Sequence, residues 1–314
     1  MNSERYKSID RKIKETEEQI TLIAKAFSTD SLDYMILNEQ LNKRLENLKY
    51  QKQILVDAYL KESVKLIISG ENVKKGKISS RVLVAVLDGF QSIADSIANS
   101  LINEPTSSGK IPANVLKQTD LELVNIFEGS FGVELESNIE DNLMVDNAVI
   151  TETLDKLFNL LSSADDNDKV FDEISELGSR TLNHYKTWLK DISEYGVEVQ
   201  LERKNQYAEN YSWKMKRDKL PSLLNSLDNL KDEFTEELEI VGKITGLNLR
   251  KETFEFICNT EEVISGRGKY EIIENNKHLL GETVKLKLIK NVTRNLSTGR
   301  EKIIWFLKDI ISEK

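Results

Sequence analysis

Between Leu238 and Ile311 the apolar residues fall into three alternating runs, one helical run and two more alternating runs. This order constrains the fold more than any other stretch of the chain. Ile240 and Ile244 alternate with polar residues until Gly246, where the apolar phase shifts to Leu247 and Leu249; an isolated glycine in such a pattern marks a bulge or bend. Phe254 and Phe256 flank Glu255 in a second strand, and Val263 to Gly266 forms a third. Ile272, Ile273, Leu279 and Leu280 then keep helical spacing up to Gly281. Val284, Leu286 and Leu288 share one strand face, with Lys285 and Lys287 on the other. Ile303 to Leu307 is apolar on both faces, as an enclosed strand is.

Five strands with a helix between the third and fourth is the connectivity of an oligonucleotide/oligosaccharide-binding (OB) barrel, and an SH3-like barrel is the competing arrangement. The expected barrel covers 237–314. It also stands apart in charge. Between Lys243 and Lys308 there are 13 Lys/Arg against 8 Asp/Glu, a balance of +5, while residues 1–242 carry −13 in a chain of net charge −9. The asymmetry predicts different partners for the barrel and for the remainder.

Residues 1–62 hold two heptad patterns. Tyr6, Ile13, Ile20 and Phe27 recur every seven residues, with Ile9 and Ile23 at the intermediate position and Thr16 interrupting it. After Ser28-Thr29-Asp30 the spacing resumes at Tyr34, Leu41, Leu48 and Leu55, with Leu45 beside them. Two such helices joined by a short turn predict an antiparallel coiled-coil hairpin, either packed on the body or holding a protein partner or a second copy of the chain.

Residues 63–236 read as a central α+β domain with a small, mainly antiparallel sheet. Val64 to Ser69 is a strand ending at Gly70, and Ser79-Ser80 caps a helix in which Leu83, Val86, Leu87, Phe90, Ile93 and Ile97 trace one face. Asn103 to Thr119, with Pro105 and Pro112, reads as a long loop. Leu121–Phe127 and Phe131–Leu135 then form a hairpin around Gly129-Ser130. Helices follow over Ala148–Leu161 and Lys169–Glu194, then a strand at Val197, Val199 and Leu201 with Tyr211–Met215 as its partner. A last helix spans Leu220–Phe234. The predicted fold class is therefore α+β, in three parts. No run approaches the eighteen apolar residues of a membrane span, the N-terminus is too polar for a signal peptide, and the single Cys258 forms no internal disulfide. A cytoplasmic protein with no membrane partner is expected.

The candidate chemistry is thin. Gly70 to Ser80 sits between a strand and a helix, but five residues separate Gly70 from Gly76 and Ile78 intervenes between Lys77 and Ser79; a phosphate-cradling loop needs four, with Ser or Thr directly after Lys. Asp165, Asp166, Asp168 and Asp172 lack the glycine of a calcium loop and read as an acidic flank at a helix start. His184 and His278 have no cysteine near them in sequence, and Glu134 and Glu136 read as a solvated strand face. No nucleophile, base, metal site or cofactor site is predicted.

A basic-aromatic stretch is the best binding candidate: Arg203, Lys204, Lys214, Lys216 and Arg217 interleave with Tyr207, Tyr211 and Trp213, the combination single-stranded nucleic acid requires. The barrel adds Lys285, Lys287, Lys290, Arg294 and Arg300. These residues are expected to meet nucleic acid, a protein partner, or the chain's own acidic domain.

The segment Gly242-Lys-Ile-Thr-Gly246-Leu-Asn-Leu-Arg-Lys, with Phe254-Glu-Phe256, Ile264-Ser-Gly266, Leu279 to Val284 and Thr298-Gly299-Arg300, resembles a recurring tail of uncharacterised bacterial proteins. The hairpin Glu128-Gly129-Ser130-Phe131 resembles another feature of those proteins, some of which accompany antiviral defence genes. These are turn glycines and core positions, so the resemblance implies a fold and transfers no functional residue. The expected function is a non-enzymatic interaction or regulatory protein, a bacterial antiviral-defence component acting in an oligomeric assembly. The alternative is a nucleic-acid-binding protein using 203–219 and the barrel.

Overall fold

The computed structural model describes residues 2–28, 31–59, 62–71, 73–74, 76–103, 106–128, 130–137, 146–204, 210–215 and 217–311, with side chains described for these except 2–7, 53–59, 128, 146–148, 204 and 232–234. The expected turn residues Thr29, Asp30 and Gly129 lie outside the described residues.

Helices α1 (Asn2–Ala26) and α2 (Leu32–Tyr59) run back along each other. Ile9, Ile13 and Leu48 are buried between them, with Leu45 alongside. Lys52 reaches Asp10 at 2.9 Å and Lys49 reaches Glu17 at 3.3 Å across the pair. Thr16 stands in the same stripe, fully buried, and satisfies its hydroxyl by donating to the Lys12 carbonyl at 2.7 Å.

The central sheet is built from β1 (Ser63–Gly70), β2 (Leu121–Glu128), β3 (Phe131–Ser137), β4 (Val197–Lys204) and β5 (Asn210–Lys214) in the order β2-β3-β1-β4-β5, every neighbour antiparallel. Val64, Leu66, Ile68, Val133, Leu135, Val199 and Leu201 point from one face into the core. The helices α3 (Ser80–Ile102), α5 (Asp146–Ser162) and α6 (Asn167–Glu194) supply the other half of that core. At its centre Trp188 stacks on Trp213 with ring centroids 6.1 Å apart and donates to the Val86 carbonyl at 3.0 Å, so its one polar atom is satisfied. The ring lies so close to α3 that a Cβ on Gly89 would stand 2.2 Å from it, which explains a glycine in mid-helix.

Three expectations need correction. The 103–119 segment is not all loop: α4 (Ala113–Thr119) starts directly after Pro112, where a missing N–H does no harm, and buries Val115 and Thr119. Ser79 occupies the N-cap of α3 but its side chain makes no capping bond. The final central helix, α7 (Leu220–Asp228), stops before 234 because Leu230 already pairs with Asn295 of the barrel while packing into the central core. Strand β6 (Leu230–Asn248) is thus shared by both parts of the molecule.

The remaining barrel strands are β7 (Thr253–Cys258), β8 (Val263–Gly268), β9 (Thr283–Asn295) and β10 (Glu301–Ile311), with α8 (Tyr270–Asn276) between β8 and β9. They close in the order β10-β8-β7-β6-β9. All contacts are antiparallel except β8 with β10, which is parallel through Phe306/Arg267 and Leu307/Gly268. The bulge foreseen at Gly246 is present, as a register shift between Ile244 and Gly246. Phe254, Phe256, Ile264, Val284, Leu286, Leu288 and Leu307 fill the interior.

Candidate functional site

Two surfaces stand out. The first is the outward face of α2. Tyr34, Asn38, Leu41, Leu45 and Leu48 form the stripe turned toward α1, being half-buried or buried, whereas Leu32, Met35 and Ile36 are 71%, 56% and 46% exposed. At 100° per residue these three lie about 100–200° from the inward stripe, so α1 cannot cover them. Tyr50, 69% exposed, falls on the same outward line. Among the described residues the two helices bury Ile9, Ile13 and Leu48 of their apolar side chains.

The second surface is a groove of about 650 Å³ running over the barrel. Leu247, Phe254, Ile303, Ile304 and Trp305 supply apolar walls; Asn248, Thr253 and Ser265 supply polar ones. At its floor β8 comes so close to β10 that a Cβ on Gly266 would stand 2.2 Å from the Trp305 carbonyl oxygen. Lys251 and Arg267 are the groove's cations, but Glu255 and Glu176 line it too, so the groove has no single sign of charge.

Glu176 comes from α6, and through it the groove touches the joint between barrel and central domain. Its carboxylate meets Lys156 at 3.0 Å, Lys302 at 3.4 Å and Arg267 at 3.8 Å. Burial pushes its pKa up, but the Lys156 hydrogen bond and the charges of Lys156, Lys302 and Arg267 outweigh that and hold it below the usual carboxylate range. One turn earlier, Asp172 and Asp168 bind Arg300 at 2.9 and 3.2 Å, and the guanidinium lies 4.9 Å from the centre of the Phe171 ring. Asp166 caps the helix by accepting from the Lys169 and Asp168 amides, which lowers its pKa. The aspartates read in the sequence as a helix-start flank therefore include one cap and two barrel ligands. Gly178, with φ 84° and ψ 170°, breaks α6 just after this acidic half and turns the rest of it under the sheet.

The structure scatters the basic-aromatic stretch. Arg203 is 2% exposed and is held by Glu62 at 2.9 Å and by Asp155 and the Thr151 carbonyl; it lies over the Phe158 and Tyr211 rings. Trp213 is buried against Trp188, and Tyr211 packs against the core beside Phe158 at 6.0 Å. Lys214 pairs with Glu198 at 3.2 Å, and Arg217 donates to the Gly196 carbonyl at 2.8 Å. Arg203 and Trp213, expected at a ligand surface, are thus interior: alternation along β4 and β5 turns them to the core face of the sheet. Lys204 lies at the end of β4; its side chain, and residues Tyr207 and Lys216, are outside the description.

The barrel cations are also engaged. Lys285 and Lys287 approach Glu239 at 3.7 and 3.8 Å, and Arg294 approaches Glu301 at 3.6 Å. Lys290 lies 5.6 Å from the centre of the Trp305 ring. Arg300 serves the interdomain joint described above. The groove residues Lys251, Arg267 and Trp305 were missed by sequence reasoning; Lys251 and Arg267 lie near the strand glycines Gly246 and Gly266 in sequence, whereas Trp305 meets Gly266 only in the folded barrel.

Among the described residues no group of three or more His, Cys, Asp and Glu side chains is placed to hold a metal ion, and no helix is long and apolar enough to cross a membrane. His184 is held below its usual pKa chiefly by burial, and burial raises Cys258. No protein-family model matches the chain, and neither a curated protein nor a solved structure matches it.

Proposed function

We propose that the chain is an interaction protein that acts through assembly, with the helical hairpin as its assembling element. The observation that carries this is the outward row Leu32, Met35 and Ile36, exposed on the face of α2 turned away from α1. Exposed apolar rows on a two-helix element mark a surface that another helix covers. The inward stripes of α1 and α2, with ion pairs across them, support an antiparallel coiled coil. The barrel tail resembles that of uncharacterised bacterial proteins, some of which accompany antiviral defence genes, which makes a defence assembly the first setting to examine. In-cell crosslinking of the full chain, compared with a Leu32→Glu/Met35→Glu variant, tests the reading. Association lost in the variant is the expected result; identical crosslinks from both chains overturn it.

A second reading, nucleic-acid binding by the barrel, has its own observation. The strand order with a parallel β8–β10 contact fits an OB-type barrel, and the groove bearing Trp305, Arg267 and Lys251 crosses its β7–β8 face, where such barrels hold oligonucleotides. Glu176 and Glu255 in the same groove oppose a phosphate backbone and rank this reading below the first. Binding of labelled single-stranded DNA or RNA that weakens steeply with salt, and is lost in Trp305→Ala, is its expected signature; no shift at low salt ends it.

A further inference from the structure

The outward face of α2 is more than apolar. Its members recur at alternating steps of four and three: Leu32, Ile36, Glu39, Lys43, Glu46 and Tyr50, all exposed. This is a second heptad stripe, about 160° around the helix from the one that faces α1. Reversing the stripe about Leu41 sets Leu32 opposite Tyr50, Ile36 opposite Glu46, and Glu39 opposite Lys43.

Resting on the assembly reading above, we infer that two copies of this chain pair through this face, α2 against α2 in antiparallel, so that the two hairpins form a four-helix bundle. Two observations converge on a second copy as the occupant. The first is charge. In antiparallel register Glu39 meets the partner's Lys43 and Lys43 meets the partner's Glu39, a relation in which each contact occurs twice, as two-fold symmetry demands. A parallel register would instead place Glu39 against the partner's Glu39, so the central charges select direction. Within one copy Glu39 and Lys43 already lie 2.7 Å apart, side by side on the exposed face.

The second is area. Leu32 to Tyr50 spans about 27 Å of helix, and two such faces bury on the order of 1,000 Å² in all, the lower end for a specific interface.

Sedimentation velocity on the full chain across the micromolar range tests this. Wild type is expected to shift from monomer to dimer. Leu32→Glu/Ile36→Glu, which changes only exposed side chains and is checked for helix content by circular dichroism, weakens the dimer roughly a hundredfold. Glu39→Lys or Lys43→Glu alone weakens it about tenfold, whereas the double exchange E39K/K43E restores it, because the opposed charges match again. Should the apolar variant lose helix content, the charge exchange still decides. A monomeric wild type, a dimer indifferent to Leu32→Glu/Ile36→Glu, or a double exchange as weak as its single members overturns the inference. Binding of the hairpin face to a different protein, or to lipid vesicles by a monomeric chain, also overturns it; the first of these leaves the broader assembly reading standing.

Discussion

Arg203 Nε lies 2.9 Å from Glu62 Oε2, with the arginine side chain fully buried and the glutamate 2% exposed. The sheet places them there: Arg203 sits opposite Val64 in the β1–β4 ladder, and Glu62 directly precedes β1. Glu62 also accepts from the Thr151 hydroxyl at 2.7 Å, while Arg203 reaches Asp155 and the Thr151 carbonyl on α5. The pair therefore fastens a sheet strand to a covering helix. Arg203→Met keeps the packing volume but leaves Glu62 buried without its counter-charge, a loss of roughly 3–5 kcal/mol. The melting temperature, followed by the fluorescence of buried Trp188 and Trp213, is expected to fall by about 10 °C. Changing both partners, with Glu62→Gln added, is expected to recover part of the loss; no recovery would show that the charge pairing is not what holds the site.

The Gly89–Trp188 contact gives a second prediction. Ala normally improves a helix interior by about 1 kcal/mol over Gly. Here the added methyl would lie 2.2 Å from the Trp188 Cδ1, so the indole must move and its bond to the Val86 carbonyl must loosen. Gly89→Ala is expected to destabilise by about 2 kcal/mol, the range of an overpacked core. A stability gain in chemical denaturation would contradict the packing.

These two sites also show what could be read from the sequence. Barrel strands and their helix were legible because alternation with interrupting glycines is a local signal, and the Gly246 bulge came with it. Of the two heptad stripes, Ile9, Ile13, Leu45 and Leu48 meet between α1 and α2, whereas Phe27 is 40% exposed. What could not be read was the direction in which a mixed charged-aromatic stretch would face. Arg203 and Trp213 look like a nucleic-acid surface until β4 and β5 are placed in register, when strand alternation turns both inward. The break at Gly178 was equally hidden, since a single glycine in a helical pattern is compatible with an unbroken helix. The groove depended on β8 meeting β10, a contact between strands distant in sequence.

The joint between barrel and α6 should respond to pH. Glu176 has a pKa held below the ordinary 4.5, so the stability it lends is present above that value and is lost as pH falls through the lowered one. Neighbouring Glu173 is shifted up by burial and works in the opposite sense, gaining stability as it protonates. On acidification the two contributions at this joint therefore oppose each other, Glu176 losing stability and Glu173 gaining it. Calorimetric melts at neutral and acid pH, run on wild type and on Glu176→Gln, check this: the variant is expected to lose less stability on acidification. An equal loss in both would assign the pH response to other groups.

Arg300 and Asp172 offer a cycle at the same joint. Their 2.9 Å contact is partly solvated, so a single change, Arg300→Asp or Asp172→Arg, is expected to cost about 1 kcal/mol. Arg300→Asp also removes the cation from the Phe171 ring, so it should be the more harmful of the two. The double exchange is expected to recover the ion pair but not the ring contact, giving a coupling of roughly 0.5–1 kcal/mol. Additive losses would mean that the two residues do not hold each other in solution.

Lys285 and Lys287 give the last prediction, because they separate a charge-driven barrel from a packed one. They stand on the outer face of β9, opposite the core-facing Val284, Leu286 and Leu288, and both reach toward one carboxylate, Glu239 on β6. The pairs are long, at 3.7 and 3.8 Å, and partly exposed, so their contribution is below about 1 kcal/mol. Lys285→Glu/Lys287→Glu sets three carboxylates side by side across the β6–β9 ladder, where like charges repel. A stability loss of about 1–2 kcal/mol, relieved by raising salt, is expected. Dimerisation through α2 should be untouched, since these residues lie on a different part of the fold. A variant that folds normally at low salt would show that Glu239 is not held by the two lysines. One that also loses self-association would move the assembling surface from the hairpin to the barrel.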